Sequence, residues 1–336
     1  MKYIKLIILL GLILFSIVVN YKMLISSHYS GFLLNDYNLN DYKMPFEVVE
    51  PINDNFPSLT GTTIPIKSLK ARYYIQKDSI DKAIELYHKA IKENPYIKHP
   101  QAQLATIYYD KEMHDSSYYY AENAFKAIPN NNIHRDIYFK NLVRLKDTVK
   151  LRESFKILKD RSSPDHWIDY LISRYNIVGA NDAENITLLD EFIDYFPLYS
   201  DDKRYISLKS LLTVGESNIT ASVFMNQAGN NFYNEQNYTA AIDHYQFAIN
   251  YDPTDYTFYE NLAMAHNMQG NYLEADKFFD KVINEFKPGN GKSQYLKGLM
   301  YVKLDSIVKG CEYLKKAADL NFSGDASETV YIRFCN

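Results

Sequence analysis

A repeated spacing of proline and alanine constrains the fold of this chain more than any other feature of its sequence. Pro95 and Pro129 lie 34 residues apart, and each follows an alanine, Ala90 or Ala124, by five residues. A fixed period of roughly 20 to 50 residues is typical of folds that stack copies of one small unit, because no unit buries its apolar face alone. The spacing therefore predicts an array of stacked units instead of one closed core.

The composition supports a folded chain and excludes several classes of protein. Of the 336 residues, 46% are apolar, and 37 basic side chains nearly balance 41 acidic ones, which leaves a net charge of -4. That is enough apolar material for a packed interior and too little charge for a disordered chain. Basic residues are scattered among acidic ones, so no nucleic-acid partner is expected. Two cysteines, and eight histidines without an i, i+4 pair, predict neither a metal site nor a cofactor.

The residues around this period resemble tetratricopeptide (TPR) repeats, which place small residues, aromatic residues and a proline at set positions of a 34-residue unit. The resemblance implies an all-α fold, a right-handed superhelix of helical hairpins in which small residues let the two helices of each hairpin approach closely. In a first copy that starts at Ile64, these positions hold Ala71, Tyr74, Ala83, Tyr87, Ala90 and Pro95. Further copies start at Lys98, Ser222, Tyr256 and about Gly291.

The repeat pattern decays between Asn132 and Ala221. The copies that start at Ile64 and Ser222 are 158 residues apart, about 4.6 repeats of 34 residues, so the two blocks cannot share one unbroken register. We therefore expect a kink or an unpaired helix between them. Helices are predicted there over residues 167–178, 183–196 and 203–213.

An apolar run over residues 6–19 follows Lys2 and Lys5 at the start of the chain. This run alone would rise about 21 Å as a helix, which suits a signal peptide, whereas a helix continued to Ile25 would rise about 30 Å and cross the hydrocarbon core. The signal-peptidase site is poor, because Ile25 occupies the -3 position before the nearest pair of small residues. We expect an uncleaved single-pass anchor in a bacterial inner membrane, with a cleaved signal peptide as the alternative. The positive-inside rule predicts a cytoplasmic N-terminus and periplasmic repeats.

Residues 28–63 show no sustained helical period and contain Pro45, Pro51 and Pro57, which predicts a linker. The segment is too apolar for a free tether, so parts of it should lie against the following domain, with one short helix around residues 46–50. The predicted organisation is an anchor over residues 1–27, this linker over 28–63, an N-terminal TPR block over 64–131, degenerate helical repeats over 132–221, a C-terminal TPR block over 222–324 and a capping helix over 325–336.

The TPR resemblance implies a concave groove lined by the first helix of each repeat, at set positions of that helix. In the C-terminal block the candidate partner-binding residues at these positions are Asn226, Asn230, Tyr233, Asn234, Asn261 and Lys292. Asn230, Asn261 and Lys292 also fit three of the five places of the carboxylate clamp of TPR cochaperones. Asn226 and Leu296 stand where that clamp has basic residues. The groove therefore has two interpretations, a clamp for a peptide C-terminus or a general groove for an extended peptide.

Cys311 and Cys335 are the only cysteines, and the residues around them resemble the closing repeat of many bacterial TPR proteins. The resemblance implies a disulfide that fastens the capping helix. Two separate buried thiols remain the alternative at this point.

No motif predicts catalysis. Residues 289–293, with the sequence GNGKS, look like the end of a phosphate-binding loop, but Phe286 stands where that loop requires a glycine. We interpret the segment as a turn between repeats, assign no catalytic residue, and expect the chain not to be an enzyme.

The function that these features favour is a scaffold that binds a protein or peptide outside the cytoplasm. The alternative is an accessory component of an envelope glycan enzyme, because residues 1–145 resemble the TPR tail of bacterial O-antigen ligase-like proteins. The residues that carry this second resemblance are Tyr42-Lys43, Phe56-Pro57, Lys70-Ala71-Arg72-Tyr73, Asn94-Pro95-Tyr96 and Asn131-Asn132-Ile133-His134.

Overall fold

A computed structural model describes residues 2–159, 163–200 and 202–335. Within these ranges every regular element is a helix, apart from one isolated bridge between Leu59 and Pro65. The all-α prediction is therefore confirmed. The chain divides into two compact units, Met1–Leu158 and Lys159–Asn336. Met1 and Asn336, the outermost residues of the predicted anchor and capping helix, lie outside the described residues.

The first unit begins with one long helix and continues as helical hairpins. Ala83, Tyr87 and Ala90, which hold small and aromatic positions of the first copy, lie on one face of the fourth helix and are buried there. The helices are α1 (Lys2–Asn38), α2 (Phe46–Val49), α3 (Ile66–Gln76), α4 (Ile80–Glu93), α5 (His99–Asp110), α6 (His114–Ala127), α7 (Asn132–Leu145) and α8 (Thr148–Lys159), which ends at the boundary between the units.

The second unit contains the three helices predicted for the irregular middle, each within three residues of its predicted bounds. One of them, α11, is separated by Gly215 alone from the next helix, and that helix forms a hairpin with the one after it. Helix α11 is therefore left without a hairpin partner, and this unpaired helix breaks the repeat register. The helices are α9 (Pro164–Val178), α10 (Ala183–Tyr195), α11 (Lys203–Val214), α12 (Glu216–Asn234), α13 (Tyr238–Tyr251), α14 (Tyr256–Gln269), α15 (Tyr272–Lys281), α16 (Lys292–Lys303), α17 (Ile307–Asp319) and α18 (Asp325–Cys335), with a 3₁₀ turn at Pro197–Tyr199 and a π-helical turn at Val282–Phe286.

Glycines at the small-residue positions set the distance between paired helices. A Cβ atom added to Gly229 on α12 would lie 2.7 Å from the ring of Tyr245 on α13. One added to Gly298 on α16 would lie 2.8 Å from Cγ of Leu314 and 3.0 Å from the carbonyl oxygen of Gly310, both on α17. The two helices of these hairpins therefore touch at positions where only hydrogen fits.

Helix α1 is longer than the predicted anchor. It continues to Asn38, so residues 28–38 are helical and do not form the first part of a linker. Its last turns pack on the first repeat, where Leu33 joins Ile66, Leu69 and Tyr73 in one buried cluster. The physical reason is burial, because the apolar side chains of this segment are shielded from water only if the helix continues onto α3.

The rest of the predicted linker is also fixed to the first repeat, and it contains the short helix α2 as expected. Lys70 donates hydrogen bonds to the carbonyl oxygens of Glu50 and Ile52, at 2.9 and 2.8 Å. The same ammonium group lies 3.0 Å from the carboxylate of Asp54, which also pairs with Lys67 at 3.4 Å. Both lysines are buried, so these contacts bind the segment to α3 through desolvated charges.

The last helix, α18, packs on α17, and a disulfide between Cys311 and Cys335 joins the two helices. The two Cα atoms are 5.6 Å apart and the cysteines are 24 residues apart in sequence. The bond closes the second unit at its C-terminal end. Whether the protein carries this bond in its own compartment stays a prediction.

Substituting Gly298 tests the close approach of α16 and α17. We expect Gly298→Ala to lower the free energy of unfolding by about 1–3 kcal/mol, because the new methyl group must displace Leu314 or the backbone of α17. The measurement is urea unfolding of the detergent-solubilised full chain, followed by circular dichroism.

The matched control is Gly31→Ala on α1, where an added Cβ atom meets nothing within 4 Å. This control should leave stability unchanged or raise it by up to about 1 kcal/mol, because alanine has the higher helix propensity. Equal destabilisation of the two variants would contradict the packing argument.

The disulfide is tested by counting thiols. We expect no free thiol in the unfolded, unreduced protein, and a loss on the order of 3 kcal/mol of unfolding free energy after reduction, because the loop is no longer closed. A thiol-reactive chromophore in denaturant gives the count. Two titratable thiols before reduction would favour the alternative of separate cysteines.

Candidate functional site

The candidate site is the surface formed by α12, α14 and α16, the first helices of three successive hairpins in the second unit. The six residues predicted to bind a partner all lie on these helices, and none of them is buried. Asn230 and Asn234 are exposed, whereas Asn226, Tyr233, Asn261 and Lys292 are half-buried. We call this surface, with these six residues, the polar groove.

Two amides of the polar groove bind each other. Asn261 on α14 donates a hydrogen bond to the side-chain oxygen of Asn226 on α12, at 2.9 Å. A third amide, Asn230, accepts a hydrogen bond of 2.7 Å from the hydroxyl group of Tyr245 on α13. Each contact holds a groove amide in one orientation and leaves further donor and acceptor capacity on it.

The cation of the polar groove has an internal counterion. Lys292 lies 2.8 Å from one carboxylate oxygen of Glu260, and Ser293 donates a hydrogen bond of 2.6 Å to the other oxygen. Glu260 is only 1% exposed, so its charge is compensated by these two neighbours. Sequence reasoning did not predict this pair. The sequence feature that could have revealed it is the opposite charge of Glu260 and Lys292, which occupy groove positions of two successive copies.

This pair bears on the two interpretations of the groove. A carboxylate clamp holds the terminal carboxylate of a peptide with cationic side chains. Here Lys292 is paired with the buried carboxylate of Glu260, so it offers a second anion no uncompensated positive charge. The pair therefore argues against a carboxylate clamp at Lys292.

Lys297, one residue after the place where the clamp has a basic residue, does not reach the polar groove. It is 1% exposed and lies 2.9 Å from Asp276 and 2.6 Å from Asp280 on α15, with its ammonium group over the ring of Tyr313. Burial lowers the pKa of Lys297, but the hydrogen bonds to Asp280 and Asp276 outweigh it, so the pKa is raised. Lys297 thus joins α15, α16 and α17 as a structural cation.

Tyr233 supplies an aromatic edge to the polar groove. Its ring contacts the ring of Tyr238 edge to face, with 5.5 Å between the centroids. The hydroxyl group of Tyr233 is protonated at neutral pH, as in any tyrosine, and burial raises its pKa further, so it can donate a hydrogen bond to a partner.

The described residues contain no cluster of three or more histidine, cysteine, aspartate or glutamate side chains able to hold a metal ion. Residues 289–291 form a turn between helices, as predicted, and α16 begins at Lys292, whose backbone N–H donates to the side chain of Asn290.

Comparison with known families matches both units to the same repeat. A family model described as "Tetratricopeptide repeat" matches residues 65–96, and one described as "TPR repeat" matches residues 229–270. A curated relative, a TPR repeat-containing protein of Methanocaldococcus jannaschii, is 23% identical over 269 residues, which cover 75% of this chain. The matched part is 43% of that relative, so the chain spans less than half of its length.

Solved structures of TPR proteins are also similar to this chain at low identity. One is a tetratricopeptide repeat protein from Parabacteroides merdae, with 14% identity, a TM-score of 0.36 and coverage of 80% of this chain and 98% of that one. Another is the TPR2AB domain of yeast Sti1 in complex with pHSP90, with 15% identity, a TM-score of 0.31 and coverage of 79% and 93%. The resemblance of residues 1–145 to O-antigen ligase-like tails stays a prediction.

The contact between Lys297 and Asp276 gives a pH-dependent stability. Burial raises the pKa of Asp276, but hydrogen bonds from Tyr301 and Lys297 outweigh it and lower the pKa. The unfolded carboxyl group therefore binds protons at a higher pH than the folded one, so its stabilisation is present above about pH 4 and is lost as the pH falls further. We expect Asp276→Asn to cost about 1–2 kcal/mol at pH 7 and less at pH 2.5, measured by urea unfolding at both values.

The matched control is Asp243→Asn on α13. Asp243 is exposed and makes no hydrogen bond or ion pair within the described residues. This variant should follow the pH dependence of the wild type. A constant difference between Asp276→Asn and wild type at both pH values would contradict the assignment.

Proposed function

We propose that this tetratricopeptide-repeat protein is a non-catalytic scaffold that holds a protein or peptide in its polar groove and is displayed outside the cytoplasm on an uncleaved N-terminal membrane anchor. The observation that carries the proposal is the row of reachable polar side chains on α12, α14 and α16, in which α12 and α14 supply amide and phenol groups and α16 supplies Lys292. Repeat arrays of this kind bind partners along the first helices of their hairpins.

The chemistry of the polar groove suits an extended peptide. Amide side chains donate and accept hydrogen bonds, so they match the alternating N–H and C=O groups of a peptide backbone. Asn226 and Asn261 are held in place by their mutual bond, which lowers the entropic cost of binding. Because Lys292 is paired with Glu260, binding should not depend on a terminal carboxylate.

At one groove position of the first unit, by contrast, the chain itself covers the side chain. Arg72 on α3 occupies a groove position of the first copy, and its guanidinium group lies 5.0 Å from the rings of both Tyr37 and Tyr42. It also donates a hydrogen bond of 3.1 Å to the side chain of Asn40. A partner that used this position would have to displace the chain's own segment, whereas the polar groove is open.

Anchoring is supported by the length and composition of α1. Among the described residues, α1 is the one helix that is long and apolar enough to cross a membrane. A signal sequence passes the same test of length and composition. An uncleaved anchor is favoured because Ile25 occupies the -3 position before the nearest pair of small residues, which makes a poor signal-peptidase site. The two lysines before the apolar run support a cytoplasmic N-terminus.

The proposal is tested by a crosslinking pull-down of the full-length protein from its native envelope, with mass spectrometry of the captured proteins. We expect a partner that is captured by the wild type and reduced at least about tenfold with the double substitution Asn230→Ala and Asn261→Ala, because two groups that bind the peptide backbone are lost.

The matched control is Gln246→Ala with Asn250→Ala, which removes two exposed amides from α13, the second helix of its hairpin. This control should retain the partner, and circular dichroism should show both double variants folded. A partner that survives the groove substitutions would move the binding site away from α12 and α14.

A further inference from the structure

A cavity of about 530 Å³ lies where α1 meets the segment after α2. Its first wall is one face of α1, with Lys22, Ile25, Ser26 and Tyr29 at helical spacing. Its second wall is formed by Val48, Pro51, Ile52 and Asn53. The cavity is separate from the polar groove, which belongs to the other unit.

The cavity has an unsatisfied polar group in its wall. Ser26 is 2% exposed, and its hydroxyl group has no hydrogen-bond partner in the structure. A buried hydroxyl without a protein partner is costly, and a water molecule, an ion or a bound group that enters the cavity would satisfy it. Lys22, one helical turn earlier, is exposed and forms no ion pair within the described residues. A free cation and a free hydroxyl therefore line the same cavity.

The second wall is held rigidly. Lys70 binds the carbonyl oxygens of Glu50 and Ile52, and its ion pair with Asp54 fixes the next turn of the segment. The first wall is fixed as well, because Tyr73 donates a hydrogen bond to Asp36 in the last turns of α1. The two walls are thus parts of one packed unit, and the cavity is preformed.

The position of the cavity along α1 indicates which layer of the membrane lies beside it. About 20 helical residues cross the hydrocarbon core, so a span over residues 6–25 ends at Ile25, with Lys22 in its last turn. Residues 25–29 then rise about 6 Å through the headgroup layer. Lysine side chains at this level extend toward lipid phosphates, and the exposed parts of Ile25 and Val48 face the same layer.

We propose that this cavity binds the headgroup of an anionic phospholipid from the leaflet through which α1 leaves the membrane. The phosphate accepts hydrogen bonds from the ammonium group of Lys22 and the hydroxyl group of Ser26. The glycerol and the first acyl carbons lie against Ile25, Val48 and Pro51. The inference rests on the proposed membrane anchoring and adds a specific lipid contact to it.

The experiment uses the full-length protein, extracted from membranes after a carbonate wash and purified in a mild detergent. Palmitoyl-oleoyl phosphatidylglycerol or palmitoyl-oleoyl phosphatidylcholine is added to the micelles, and native mass spectrometry counts the lipids retained per chain. We expect one retained phosphatidylglycerol on the wild type and at least about tenfold weaker retention of phosphatidylcholine.

Two substitutions and a matched control locate the site. Ser26→Leu fills the cavity and removes the hydroxyl donor, so it should lower phosphatidylglycerol retention at least about tenfold. Ser27→Leu makes the same change at the neighbouring exposed position and should retain lipid like the wild type. Lys22→Gln alters an exposed side chain without filling the cavity, and it should abolish the preference for the anionic lipid.

The outcomes separate this inference from the proposed function. Equal retention by Ser26→Leu and wild type, no lipid on the wild type, or no change of preference in Lys22→Gln overturns the lipid site. Release of the protein by carbonate, or a mature N-terminus at or after His28, instead shows that the anchor itself is wrong. A carbonate-resistant chain that retains no lipid overturns only the site.

Discussion

The close approach of two helices at a glycine is the constraint on which the repeats of this protein depend. At Gly229 and Gly298 the neighbouring helix leaves no room for a methyl group, so the backbones of each hairpin pack directly on side chains of the partner helix. This contact sets the angle and spacing of one hairpin, and the next hairpin then finds a surface of defined shape. The first helices of successive hairpins consequently line up, which is how Asn226 and Asn261 come within hydrogen-bond distance.

A repeat array has two ends that lack a neighbour, and each unit of this chain covers one of them with its own residues. In the first unit the last turns of α1 and the following segment bury Leu69 and Tyr73 of the first repeat. In the second unit α18 packs on α17, and the bond between Cys311 and Cys335 joins the two helices. Both devices solve one problem, since an uncovered terminal hairpin exposes the apolar face that stacking would bury.

The residues that cover the first repeat also connect the apolar part of α1 to the repeats. Because α1 continues directly into the core of the first repeat, any membrane that holds its apolar part is joined to the repeats without a free tether. Buried Lys70 and Asp54 then position the segment that faces α1. The polar groove, by contrast, is formed by residues that are exposed or half-buried. Two of its amides bind each other, and its side chains remain reachable.

The sequence by itself determined the repeat architecture, because the spacing of Pro95 and Pro129 and the small residues near them follow from contacts within one hairpin. It also located the loss of register, which the structure explains by the unpaired helix α11. Only the tertiary structure decided that α1 runs to Asn38, that Lys292 is neutralised by Glu260, and that Lys297 is buried between two aspartates. Each of these features depends on how one helix is rotated against another, and a local sequence pattern does not specify that rotation.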